Sequence, residues 1–176
     1  MLKLIKPSVL HLSELEVFKN EFKKERVTIH GGSGLERFQS LSKWIEQIDN
    51  DQFKETVREG YVCASTYLFV EETDNMILGV VNIRHSLNDF LLNYGGHIGY
   101  SIRKSERRKG YANVMLKMAL EICKDLEIDN VLITADDLNV ASWKTIEAAG
   151  GIMDTPFVES SGNIVRRYWI KLSSNI

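Results

Sequence analysis

The sequence predicts one α/β domain of the α+β type, a mixed and mostly antiparallel sheet flanked by helices. Three observations carry this expectation. The chain has 176 residues, a length that gives a single domain with enough chain to bury a sizeable core. Short runs rich in β-branched and aromatic residues are separated by clusters of Gly, Asn, Asp and Ser, the pattern of hairpins. The stretch from 96 to 135 reads strand, helix, strand, which places a parallel pair inside that sheet.

The elements follow in order. Leu2-Lys3-Leu4-Ile5 alternates ahead of Pro7 and predicts a short first strand. Ser13 stands three positions before Glu16, a capping-box spacing, and Leu15, Phe18 and Phe22 follow at helical intervals to about Arg26. His30-Gly31-Gly32-Ser33-Gly34 is a loop by its glycines. A second helix is predicted from Glu36 to Ile48, with Phe38, Leu41, Trp44, Ile45 and Ile48 on one side. Ser65 to Glu71 and Met76 to Arg84 are strands joined by the turn Glu72-Thr73-Asp74-Asn75, an antiparallel hairpin. Leu87 to Gly95 is a connection, and Gly96 to Ile102 a third apolar strand. Gly110 to Leu126 has the clearest helical period, with Met115, Met118, Ile122 and Leu126 on one face. Asn130 to Ala135 is a buried strand, and Asn139 to Ala149 a helix stopped by Gly150-Gly151. A last hairpin joins Gly151–Val158 to Ile164–Lys171 through Ser160-Ser161-Gly162-Asn163.

Composition excludes several classes. Hydrophobic residues make up 44% and charged residues 26%, the balance of a soluble globular domain. The 22 basic and 24 acidic side chains give a net charge of −2, so the protein as a whole is not a basic nucleic-acid binder. Cys63 and Cys123 match no CxxC or Cys/His metal spacing and build no disulfide framework. The expectation is a cytoplasmic protein without a metal. Residues 1–12 alternate too often for a secretory segment. No apolar run approaches the roughly 18 residues of a membrane span, so no membrane partner is expected.

The chemistry concentrates in Arg103-Lys104-Ser105-Glu106-Arg107-Arg108-Lys109-Gly110-Tyr111-Ala112, between a strand and the strongest helix. A helix start leaves N–H groups without partners and carries partial positive charge. Gly110 and Ala112 give an anion room to approach, and the basic residues add charge-assisted hydrogen bonds. A pyrophosphate fits this arrangement. The loop is neither a Walker A motif nor a GxGxxG turn.

Arg107-x-x-Gly110-x-Ala112, after a strand and before a helix, resembles the acyl-CoA pyrophosphate loop of the GNAT family of N-acetyltransferases. Asn139-x-x-Ser142, with Gly150 eight positions later, resembles that family's second motif. The resemblance is strong from Tyr61 to Gly151 and weaker over the first 60 residues. It implies one N-acetyltransferase domain over residues 1–176. Residues 1–60 would be the variable substrate side, 61–151 the acyl-CoA-binding core and 152–176 the C-terminal hairpin. It also implies a central parallel strand pair splayed to hold acyl-CoA.

Acetyl-CoA is the implied cosubstrate. The resemblance places the backbone of Ile102 at the pantetheine arm and the N–H groups from Arg108 to Ala112, through Lys109, Gly110 and Tyr111, at the pyrophosphate. Arg107 and Lys109 would add charge there. Asn139 and Ser142 would meet the cofactor, although Asn139 also suits a helix N-cap. The implied reaction is direct attack of an amine on the thioester, with a base to take its proton. His97, on the strand beside the thioester, is the implied base, since an ordinary imidazole titrates near 6.5. His30, in the glycine loop, could face substrate, and its plainer reading is a solvated loop residue.

The chain departs from the family pattern at Ile146, where many members carry a tyrosine seven positions after the asparagine. Either the thiolate leaves unaided, or water or another hydroxyl serves, with Tyr100, Tyr111 and Tyr168 as candidates that packing alone could also explain. The leading expectation is an N-acetyltransferase acting on an amine of a small molecule or protein. The alternative is an acyl-CoA sensor without catalysis. A homodimer is compatible with the resemblance.

Overall fold

The computed structural model describes residues 1–73 and 76–172. Asp74 and Asn75, the second half of the predicted turn, lie outside the described residues. The elements are β1 (Leu2–Ile5), α1 (Leu12–Glu25), α2 (Leu41–Asn50), β2 (Ala64–Glu71), β3 (Met76–Arg84), β4 (Ile98–Ile102), α3 (Tyr111–Asp125), β5 (Asn130–Asp136), α4 (Val140–Ala148), β6 (Ile152–Val158) and β7 (Ile164–Lys171). They form the mixed α/β fold that the pattern predicts. Among the described residues, no helix is long and apolar enough to cross a membrane.

The sheet comes in two parts. A four-stranded part runs β1-β2-β3-β4 and a three-stranded part β5-β7-β6, with antiparallel ladders throughout. Side chains alternate across the first part, as strand geometry demands. Leu68, Val70, Ile77 and Val80 face α1 and α2, whose Leu15, Phe18, Phe22, Trp44 and Ile48 form one core. Phe69, Leu78 and Val81 face the other way, onto Met115, Leu116 and Ala119 of α3. That second core continues through Val131, Ile133 and Tyr168 of the three-stranded part, so α3 bridges the two.

The strands expected to form a parallel pair are β4 and β5, and among the described residues no parallel pairing joins them: the one bridge between these segments is antiparallel. They meet at a single isolated bridge, Gly96 to Ile133, and share no ladder. A Cβ at Gly96 would stand 2.5 Å from the Leu132 carbonyl, so only glycine lets the strands touch there. Beyond the bridge they separate. Tyr100, late in β4, reaches Ser142, which follows the end of β5, so both strands lead towards the start of α4.

Four expectations are corrected. The first helix is capped a turn earlier than Ser13–Glu16: Ser8 N–H donates to His11 Nδ1 at 3.0 Å, and a 3-10 turn over Val9–His11 leads into α1. The second helix does not run from Glu36. A 3-10 turn at Leu35–Arg37 is followed by extended Phe38, whose carbonyl accepts from Lys19 Nζ at 2.9 Å, and α2 starts at Leu41. The connection after β3 contains a π-helical turn, Leu91–Gly95, with Asn88 Oδ1 accepting the Leu91 N–H at 2.9 Å. The third strand begins at Ile98, not Gly96, because Gly96 turns with φ +61°.

Candidate active site

The site starts at the entrance to α3. Gly110 is its N-cap with φ +83°, a left-handed conformation that disfavours side chains. Arg108 also has positive φ, +64°. The two left-handed residues curl the loop so that its N–H groups point outward. Among the described residues, the N–H groups of Arg108, Lys109, Gly110, Tyr111 and Ala112 meet no acceptor in the protein, while Arg107 N–H is taken by the Lys104 carbonyl. The first cavity opens in front of them. It measures about 860 Å³ and runs from this loop along Tyr100, Ser101 and Ile102 to Asn139, Ser142 and Thr145 on α4.

The charges divide unexpectedly. Arg107 lines the cavity, yet its guanidinium grips Glu25 of α1 at 2.6 and 2.9 Å and donates from Nε to the Ile102 carbonyl at 3.0 Å. That grip holds the Glu25 carboxyl below its ordinary range, chiefly through the Arg107 hydrogen bond. Lys109 pairs with Glu106 at 2.9 Å and does not line the cavity. Arg108 and Arg26 line it, and among the described residues neither makes a side-chain hydrogen bond or ion pair. Arg26 gave no signal in the sequence. It is the left-handed C-cap of α1, and only packing of α1 against the loop brings it here.

A second cavity, about 310 Å³, lies in the gap between β4 and β5. Its walls are Ile98, Gly99 and Tyr100 on one side and Thr134, Ala135 and Asp136 on the other, with Tyr94, Gly95, Arg84, Glu159 and Asn163 at the ends. Both cavities are lined by His30, Tyr100, Asn139 and Ser142. At this junction Tyr100 Oη lies 3.3 Å from Ser142 Oγ. Burial raises the Tyr100 phenol above its ordinary range, so it stays protonated at neutral pH. Asn139 accepts the Ser142 N–H at 3.2 Å, the expected N-cap bond, and still faces both cavities.

His97 lies elsewhere. It is 6% exposed and lines neither cavity. Its N–H donates to the Leu132 carbonyl at 2.7 Å, and its Nδ1 accepts the Leu132 N–H at 2.9 Å. It therefore fastens β4 to β5 at the closed end of their gap. Burial first, and the Arg84 charge second, lower its pKa to about 4. His30 is exposed, as a loop histidine should be, and it also lines both cavities, because Ser101 Oγ holds its carbonyl at 2.8 Å and Gly31 packs directly on Gly99. Ile146 is fully buried in the core shared with α3. A tyrosine there would not reach the junction without repacking. Hydroxyls of Tyr100 and Ser142 occupy the junction instead.

A model of the GNAT acetyltransferase domain matches residues 10–152. No curated protein matches the sequence. Among solved structures, the microcin C7 self-immunity acetyltransferase in complex with acetyl-CoA and AMP aligns with TM-score 0.72 at 17% identity, over 97% of this chain and 92% of that one. The ribosomal α-N-protein acetyltransferase RimL in complex with CoA aligns with TM-score 0.70 at 17% identity, over 99% and 96%. The spermidine N-acetyltransferase of Vibrio cholerae aligns with TM-score 0.63 at 14% identity, over 97% and 92%. At these identities the likeness is one of fold. The domain match covers most of the chain, and with the strand gap and the open N–H groups at α3 it places the protein in the GNAT family of N-acetyltransferases.

Proposed function

We propose that the protein transfers the acetyl group of acetyl-CoA to a primary amine by direct attack on the thioester. One observation carries this reading: two cavities, one against an N–H crown suited to a pyrophosphate and one in the strand gap, share a wall at His30, Tyr100, Asn139 and Ser142. The larger is of a size for the cosubstrate, within the usual range of about 300–1,000 Å³ for ligand sites. The N–H groups from Arg108 to Ala112 hold the pyrophosphate, with Arg26 and Arg108 supplying charge. The Ile102 side of β4 carries the pantetheine arm to the junction.

The acceptor enters from the second cavity. A typical amine is protonated at neutral pH, with a pKa near 10.4, so it must lose a proton before attack. We assign that proton to His30, directly or through water, because it is the histidine that lines both cavities. The new N–C bond forms and the C–S bond breaks; the proton taken by His30 before attack passes to solvent, and the second N–H proton, lost as the amide forms, ends on the CoA thiolate. Tyr100 Oη donates a hydrogen bond to the departing sulfur. His97 acts at a distance, as a positioning residue for the strands.

The test is release of CoA thiol from acetyl-CoA across a panel of primary amines. The expected result is amine-dependent release in the wild type and a kcat at least tenfold lower in His30→Gln, in line with loss of a general base. Tight acetyl-CoA binding with no release for any amine favours the sensor reading. Equal release by His30→Gln across pH 6 to 9, roughly the range of histidine titration, removes His30 as base.

A further inference from the structure

Arg84, at the end of β3, points to what the acceptor carries besides its amine. Its guanidinium donates from Nη1 to the carbonyls of Gly95 at 3.0 Å and Gly96 at 3.3 Å. Among the described residues it pairs with no carboxylate, and its Nε and Nη2 bond to no protein acceptor. Yet no fully buried polar side-chain atom among the described residues lacks a partner. The free N–H groups of Arg84 are therefore open to the cavity that the residue lines. Gly99 makes room for them: a Cβ there would sit 3.2 Å from both Nη1 and Nη2. Burial pulls the Arg84 pKa down to about 10, which leaves it charged at neutral pH.

A half-buried guanidinium whose bonds go only to carbonyls keeps donors for an anion, which would meet them in bidentate geometry. The residues lining the same cavity include two acidic ones, Asp136 and Glu159. Asp136 accepts the Leu138 N–H at 2.9 Å, and Glu159 accepts from Ser161 Oγ at 3.4 Å. One fork-shaped cation and two carboxylates around about 310 Å³ complement a compact molecule with one anionic and one cationic end. A dianionic phosphate would meet two like charges and a single arginine. A carboxylate meets the planar fork in bidentate geometry.

We propose that the acceptor is a small zwitterionic amine, a free amino acid or close analogue, whose carboxylate is held by Arg84 while its ammonium is drawn towards Asp136 and Glu159. This rests on the acetyltransferase reading of the second cavity. Arg84 is then a specificity-determining residue, and its bonds to Gly95 and Gly96 are what aim it.

The experiment compares L-methionine, L-phenylalanine, L-leucine and L-lysine with the four amines that lack only the α-carboxylate, under saturating acetyl-CoA. The expected kcat/KM ratio favours the amino acids by roughly 10- to 100-fold, the range of one charge-assisted contact. In Arg84→Met that ratio collapses, mainly through KM. Arg84→Lys, which keeps the charge and loses the fork, gives an intermediate ratio and serves if Arg84→Met does not fold. A purely structural arginine would lower both members of each pair alike. Equal or faster turnover of the decarboxylated amines, or a preference that survives Arg84→Met, overturns the proposal. Where nothing is turned over, calorimetric titration of the CoA-bound protein with the four amino acids decides. Binding lost in Arg84→Met supports the proposal, and no binding to the wild type overturns it. Failure of acetyl-CoA to bind contradicts the acetyltransferase reading, and the same titration without CoA still reads Arg84.

Discussion

Single residues set the site's chemistry through backbone demands as much as through side chains. Gly110 is required by its φ of +83° and not by crowding, since nothing lies within 4 Å of a Cβ built there. In the proposed reading, that open space is where the pyrophosphate approaches. Gly110→Glu puts a carboxylate into that space and strains the turn. Calorimetry should show acetyl-CoA binding weakened by at least 100-fold, and an affinity within threefold of wild type would refute the loop assignment. His97 gives a different residue-scale expectation. An unfolded imidazole titrates near 6.5, the folded one at about 4. Between these values the unfolded chain binds more protons, so the contribution to stability is complete above about pH 6.5 and is lost as pH falls towards 4. The size is on the order of 3 kcal/mol. His97→Asn keeps an acceptor for the Leu132 N–H and does not titrate. Urea unfolding from pH 7 to 4 should therefore show a flatter dependence in that variant than in the wild type.

At the scale of elements, α1 is tied to the phosphate loop by two clamps. Arg107 holds Glu25, and Arg103, which is 3% exposed, donates to Glu14 at 2.7 Å, to Glu21 and to the Ile77 carbonyl at 3.0 Å. These clamps place Arg26 and Phe22 over the first cavity. Arg103→Met leaves two adjacent carboxylates without their cation. The expected cost is about 3 kcal/mol, the low end for breaking a buried pair, because both carboxylates keep some exposure. Thermal unfolding should register this as a midpoint lower by roughly 6–12 °C. A shift below 2 °C would show that the clamp is dispensable. Much of the element order was legible for local reasons: the β2–β3 hairpin, α3 and the β6–β7 hairpin show their own periods in the sequence. The break at Phe38 was not, because it depends on Lys19 from α1, and the π-helical turn has no local period of its own. The open N–H groups at the start of α3 were legible because they follow from a glycine at a helix start. Arg26, His30 and Arg84 were not, since only packing between distant segments brings them to the cavities. Arg107 lines the first cavity but is paired with Glu25, 82 positions before it, which only packing reveals, whereas Lys109 is drawn aside by its near neighbour Glu106.

For the whole molecule, the gap between β4 and β5 is the feature on which everything converges. The two parts of the sheet are fastened at Gly96, His97 and Leu132 and spread apart towards α4, so one fold edge opens into two neighbouring cavities that share lining residues. A cosubstrate filling the larger cavity bridges α1, β4, α3 and α4 and should stabilise all of them together. Thermal unfolding with acetyl-CoA, CoA and ATP added separately tests this most directly. A ligand at about 100 times its dissociation constant contributes roughly 2.7 kcal/mol, which for a chain of this size raises the midpoint by about 5–10 °C. The account predicts such a rise with acetyl-CoA and CoA and little with ATP. No rise with either CoA compound at saturating concentration, on well-folded protein, would contradict it.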